Sequence, residues 1–92
     1  MIGTCSSCGN HTEVSTVPVQ NGSYRIACGA CESGVNARRL LDPSRFRMLV
    51  GRLDNGSILE GERAALRWNI AEMEKTLEER RKVLDSLRKK VG

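Results

Sequence analysis

Apolar residues recur along the second half of the chain at steps of three, four or seven: Leu59, Leu66, Ile70, Met73, Leu77, Leu84, Leu87 and Val91. Written as heptads, Leu59, Leu66, Met73, Arg80 and Leu87 take position d, and Arg63, Ile70, Leu77, Leu84 and Val91 take position a. Eight of these ten are apolar, a seam sustained over more than four heptads, which predicts a coiled-coil helix and not a one-sided surface helix. Such a helix, over 57–92, would be about 50 Å long at 1.5 Å per residue, far more than a small domain can cover. The seam of Leu66, Ile70, Met73, Leu77, Leu84, Leu87 and Val91 is therefore expected to close on another helix. A homodimer through 59–91 is the favoured arrangement and a hetero-partner helix the competitor, with parallel and antiparallel pairings both open. In a parallel dimer Glu62 at g would face Arg67 at e of the partner. Arg63 and Arg80 interrupt the seam, where polar residues set register at a cost in stability.

Three further signals complete the pattern. Ser57-Ile58-Leu59-Glu60 has the form of a capping box that starts the long helix. Asp42-Pro43 reads as an N-cap and first-turn proline, opening a short helix with Phe46, Leu49, Val50 and Leu53 on one face, ended by Asp54-Asn55-Gly56. Nearer the N-terminus the period drops to two, in Glu13-Val14-Ser15-Thr16-Val17 and again in Tyr24-Arg25-Ile26-Ala27, with Asn21-Gly22 between them as a hairpin turn. After Cys31, the residues Val35, Ala37, Leu40 and Leu41 have helical spacing. The predicted fold is small α+β: a zinc-binding unit of β-hairpin plus helix over 1–42, a short helix and turn over 43–56, and a coiled-coil helix over 57–92.

The chemistry lies in the hairpin unit. Cys5 and Cys8 form one Cys-x-x-Cys pair and Cys28 and Cys31 a second, nineteen residues apart. Two short pairs on two turns supply the four soft ligands of a tetrahedral zinc site, so one Zn²⁺ per chain is expected. Gly9 and Gly29 lie where the backbone must turn toward the sulfurs. Two disulfides are the alternative and need an oxidising compartment; the chain opens Met-Ile-Gly-Thr-Cys with no signal-peptide pattern, which points to a reducing, cytoplasmic setting. With Tyr24, Phe46 and Trp68 as the three aromatics of 92 residues, no large core can form, and metal is expected to hold the front third folded. His11, close to Cys8, is expected at the surface or behind the ligands, since four cysteines already complete the shell.

Cys5-Ser6-Ser7-Cys8-Gly9 through Glu13-Val14, followed by Tyr24-Arg25-Ile26-Ala27-Cys28-Gly29-Ala30-Cys31, resembles the zinc-binding domain of the ClpX unfoldase over about residues 4–42. The resemblance implies a four-cysteine treble clef, with its second pair at the start of a helix, that dimerises and docks adaptor or substrate peptides without doing chemistry.

Charge and composition narrow the function classes. The net charge of +4 arises behind residue 42, with a basic end at Arg80, Arg81, Lys82, Arg88, Lys89 and Lys90. No stretch has the ~20 apolar residues of a membrane span, so neither membrane insertion nor, at this size, a small-molecule substrate is expected. A closed four-thiolate site leaves no open position for water, and the single histidine has no catalytic arrangement around it, so the chain is read as a non-enzyme. Two readings stay open: a zinc-dependent adaptor or regulator docking a protein target, and a nucleic-acid-binding transcription regulator using Arg38, Arg39, Arg45, Arg47, Arg52 and the basic helix end. Trp68, at heptad position f between Ala64 and Ala71, either anchors a foreign partner or packs on the 43–53 helix.

Overall fold

The computed structural model describes residues 1–91, the last through its backbone alone, so the side chain of Val91 lies outside the described residues. Three antiparallel strands come first: β1 (Ile2–Thr4), β2 (His11–Pro18) and β3 (Tyr24–Cys28), in the order β1-β2-β3. The alternating segments pair as expected, with Val14 opposite Cys28 and Pro18 opposite Tyr24, while β1 is an edge strand too short to show a period in the sequence. Asn21 and Gly22 sit in a wider loop than a two-residue turn: Val19 N–H donates to the Ser23 carbonyl, Ser23 N–H to Asn21 Oδ1, and Gly22 takes a φ of 88°. Val14, Ala27, Cys5, Cys28 and Leu59 form the core beneath this sheet.

The helix expected after Cys31 is displaced. Helix α1 (Gly29–Ser33) instead contains Cys31 and stops where Gly34, at φ 78°, returns its N–H to the Ala30 carbonyl. Only a residue tolerant of the left-handed region ends a helix this way cheaply. Residues 35–42 then run without helix, leaving Val35 and Leu40 largely exposed, 74% and 79%. Backbone groups in this stretch are met by a side chain of the long helix: Asn69 accepts from Leu41 N–H and donates to the Arg39 carbonyl. A buried amide (5% exposed) thus replaces two helical hydrogen bonds.

Helix α2 (Pro43–Asn55) begins as its sequence dictates, with Asp42 Oδ1 accepting from Arg45 N–H at 2.8 Å, and ends at Gly56. Its Leu49, Phe46 and Val50 pack with Leu41 on Ile58 and Leu66, whereas Leu53, expected on the same face, is 39% exposed. Helix α3 (Glu60–Val91) starts two residues later than a Ser57 cap would place it. Ser57 donates its hydroxyl to Asn55 Oδ1, and it is Glu62 that reaches back to the Leu59 N–H at 3.0 Å, the glutamate half of a capping box with leucine at the cap.

The segments 1–42, 43–56 and 57–92 pack on one another. Gly61 lies so close to α1 that a β-carbon placed on it would be 1.9 Å from the Cys31 carbonyl oxygen. Leu59 and Leu66, two of the seam residues, are buried at 1% and 3% in the chain's own cores. From Met73 to Lys90 every residue is exposed, and the rod gives the molecule principal extents of 64 × 24 × 19 Å. Among the described residues, no helix is long and apolar enough to cross a membrane.

Candidate metal centre

The Cys5–Cys8 turn leaves β1, doubles back through Gly9 (φ 77°), whose N–H donates to the Cys5 carbonyl, and is held to the sheet by Ser6 N–H on the Ile26 carbonyl. Cys28 closes β3 and caps α1 in an extended conformation, which lifts Cys31 into the first helical turn beside it. Gly29, by contrast, has a φ outside the left-handed region and open space where a β-carbon would stand, so the turn there does not depend on glycine.

These turns bring the four Sγ atoms within 4.8 Å of one another, all four cysteines being free, with Cys8 and Cys28 3.9 Å apart. A regular tetrahedron of sulfurs around zinc at Zn–S 2.3 Å has edges of about 3.8 Å, so donor set and spacing fit Zn²⁺. The electrostatics of Cys5, Cys8 and Cys31 lead to the same group. Burial opposes ionisation of Cys5, but hydrogen bonds from the backbone of Cys8, Cys28 and Ser7 outweigh it and bring this thiol down to about 6. Burial and the crowding of Cys28, Cys5 and Cys8 push Cys31 up to about 12. At Cys8 a backbone hydrogen bond at Asn10 favours the anion, yet burial and the Cys5 thiol leave it raised. One sulfur ionises at its neighbours' expense, a conflict that a dication bound by all four removes.

Behind the first cysteine turn lies a charge network that sequence reasoning missed. The Glu62 side chain, 2% exposed, forms ion pairs with Arg25 of β3 and Arg52 of α2, and accepts from Ser7 Oγ at 2.8 Å. Arg25 also donates to the carbonyls of Ser6 (3.2 Å) and Ser57 (3.0 Å), and Arg45 to the carbonyl (3.0 Å) and hydroxyl (3.2 Å) of Ser7. Burial works against the Glu62 carboxylate, but the Arg25 guanidinium, the Leu59 amide and Ser7 hold it below the usual carboxylate range. Glu62 is thus taken up within the chain, where it fastens the Cys5–Cys8 turn to α2 and α3. One sequence signal pointed here, a glycine at 61 in the first turn of a helix, where it lowers helix propensity and calls for a packing reason.

The residues expected to meet a partner scatter. Arg45 is taken up by Ser7 and Arg52 by Glu62, while Arg38, Arg39 and Arg47 remain exposed. Arg39 borders a cleft of about 420 Å³ beside Cys8 and Cys31, and Arg47 a separate groove of about 720 Å³ between α2 and α3. Trp68 is half-buried and stands outside the cluster that α2 makes with α3; Ala64, one turn earlier, lies against Gly34 instead. Among the expected seam residues, Leu66 belongs to the internal core, and Ile70, Met73, Leu77, Leu84 and Leu87 are 45–64% exposed. His11 sits exposed on β2 opposite Thr4. No family model, curated protein or solved structure matches the chain.

Proposed function

We propose that this chain is a non-enzymatic zinc-binding adaptor or regulatory protein: a treble-clef centre holding one structural Zn²⁺ on Cys5, Cys8, Cys28 and Cys31, dimerised through α3 to dock a protein partner in two copies. The observation that carries this reading is the pairing of a closed four-sulfur cluster with a helix whose exposed half keeps an apolar seam the chain itself leaves uncovered. Four thiolates complete a tetrahedron, so the metal would serve the fold instead of polarising a substrate. Two copies on one rod turn two weak contacts into one strong one. The setting would be reducing and cytoplasmic, since the thiols must stay free to bind metal.

Metal analysis and light scattering on the purified chain test this directly. One zinc per chain and a two-chain mass are expected, with Leu77→Lys reducing the mass to one chain. Zinc-free folded protein, or a wild-type monomer, would end this reading.

Nucleic-acid binding is the second reading, favoured by exposed Arg38, Arg39 and Arg47 and by the basic end of α3. Its case is narrowed by Arg45 and Arg52, whose guanidinium groups face inward. Titration into duplex and single-stranded DNA at two salt concentrations decides between the two: salt-sensitive binding supports phosphate recognition, and none at low salt removes it.

A further inference from the structure

We infer that the partner of the exposed α3 seam is a second copy of this chain running antiparallel, residues 70–87 of each copy lying against 87–70 of the other. The inference rests on the self-association proposed above and adds its direction and register. Its ground is the charge layout of the exposed helix. Residues 70–79 carry Glu72, Glu74, Glu78 and Glu79 against Lys75, a net of −3. Residues 80–90 carry six basic side chains against Asp85, a net of +5. Parallel copies would lay acidic half on acidic half and basic half on basic half, and place Arg80 against Arg80. Antiparallel copies lay residues 80–87 of each copy, with Arg80, Arg81 and Lys82 against Asp85, on residues 70–77 of the other, with Glu72 and Glu74 against Lys75, and set Arg80 against Leu77, while Arg88, Lys89 and Lys90 extend over 67–69.

The register follows from where the apolar side chains are free. Because α2 covers Leu66, the uncovered seam runs from Ile70 to Leu87. An antiparallel offset pairing Ile70 with Leu87, Met73 with Leu84 and Leu77 with Arg80 matches every layer of that stretch. A shift by one heptad that draws the two front domains together sets Leu84 against the covered Leu66 and Leu87 against Arg63, leaving both without a free apolar counterpart. In this register the partner's Leu84 and Leu87 arrive beside Met73, where the groove of about 720 Å³ lined by Leu40, Phe46, Met73 and Leu77 is open to receive them. Glu74 and Arg81, both at position e, then face each other across the interface in both directions, because e meets e in an antiparallel pair.

Two measurements on the zinc-loaded chain test the direction. Two rods of 64 Å that overlap over residues 67–90, at 1.5 Å per residue, give a maximum dimension of about 90 Å in small-angle scattering, against about 65 Å for a parallel pair. Glu74→Arg and Arg81→Glu should each weaken the homodimer by roughly tenfold, and mixing the two variants should restore wild-type affinity, since the mixed dimer regains both ion pairs. A dimer near 65 Å whose variants show no preference for each other overturns the antiparallel arrangement while leaving self-association intact. A monomer at all concentrations overturns both, and directs the seam to a helix of another protein.

Discussion

Glu62 is the residue on which the most depends after the cysteines. Its carboxylate is buried between two guanidinium groups, a serine hydroxyl and a helix-cap amide, so neutralising it leaves Arg25 and Arg52 without an anionic partner behind the cysteine cluster. Breaking a buried pair in this way costs about 3–5 kcal/mol, and Glu62→Gln should lower the denaturation midpoint accordingly. The pH dependence has a definite sign. A carboxylate held below its ordinary value contributes stability that is present in full above the unfolded value, ~4.3, and is lost as pH falls through the lower folded value. The stability gap between wild type and Glu62→Gln should thus be constant from neutral pH to about pH 5 and shrink below that; a gap that widens on acidification would refute the ion-pair account. Gly61 offers a second check. Alanine is worth about 1 kcal/mol more than glycine inside a helix, yet here its β-carbon would stand 1.9 Å from the Cys31 carbonyl oxygen. Backbone cannot yield as a side-chain tip can, so Gly61→Ala should destabilise by about 1–3 kcal/mol and weaken metal retention at Cys31, read by thermal unfolding and by zinc release to a chelator.

At the scale of elements, α3 is two things joined end to end. Residues 60–69 belong to the front domain, anchored through Gly61, Glu62, Leu66 and Asn69; residues 73–90 are exposed throughout, Met73 and Leu77 bordering the groove beside α2. An isolated helix of that length is marginal in water, so its order at low concentration should depend on a partner helix. Equivalent truncations at the two ends should therefore separate. Leu66→Ala is expected to cost about 2–5 kcal/mol in unfolding without changing the oligomeric mass. Leu84→Ala should weaken association and lower helicity on dilution, with the front domain unfolding at its usual midpoint. The reverse assignment of effects would mean that the division at Ile70 is misplaced. Helix α1 has the opposite character, five residues that could not persist alone, bounded by Cys28 at its start, containing Cys31, and backed by the α3 backbone at Gly61.

For the whole molecule, the two small cores of Val14, Ala27 and Leu59 and of Leu49, Ile58 and Leu66 bury few large side chains, and structural zinc is worth about 10–16 kcal/mol, more than a domain's usual net stability. Chelation should accordingly abolish the β-sheet and the α2 packing together, because the Glu62 network couples the Cys5–Cys8 turn to both helices; circular dichroism during titration with a chelator would show one transition, and surviving α2–α3 packing in the zinc-free state would contradict that coupling. Much of this architecture was legible in the chain. Cysteine spacing announced the four-sulfur cluster because two short pairs on two turns can converge on one point, period-two alternation located β2 and β3, Asp42-Pro43 began α2, and the heptad repeat marked the long helix, all of these being signals carried by neighbours in sequence. What remained hidden involves groups far apart along the chain. Arg25 and Glu62, separated by 37 positions, meet only because α3 crosses α1 at Gly61; the seam splits at Ile70 because α2 happens to cover Leu66; and the helix expected after Cys31 gives way because Asn69 takes over its backbone partners. Local pattern determined which elements form and which atoms can bind metal, whereas burial, which decides whether a charge is a surface decoration or a clamp, exists only once those elements are stacked.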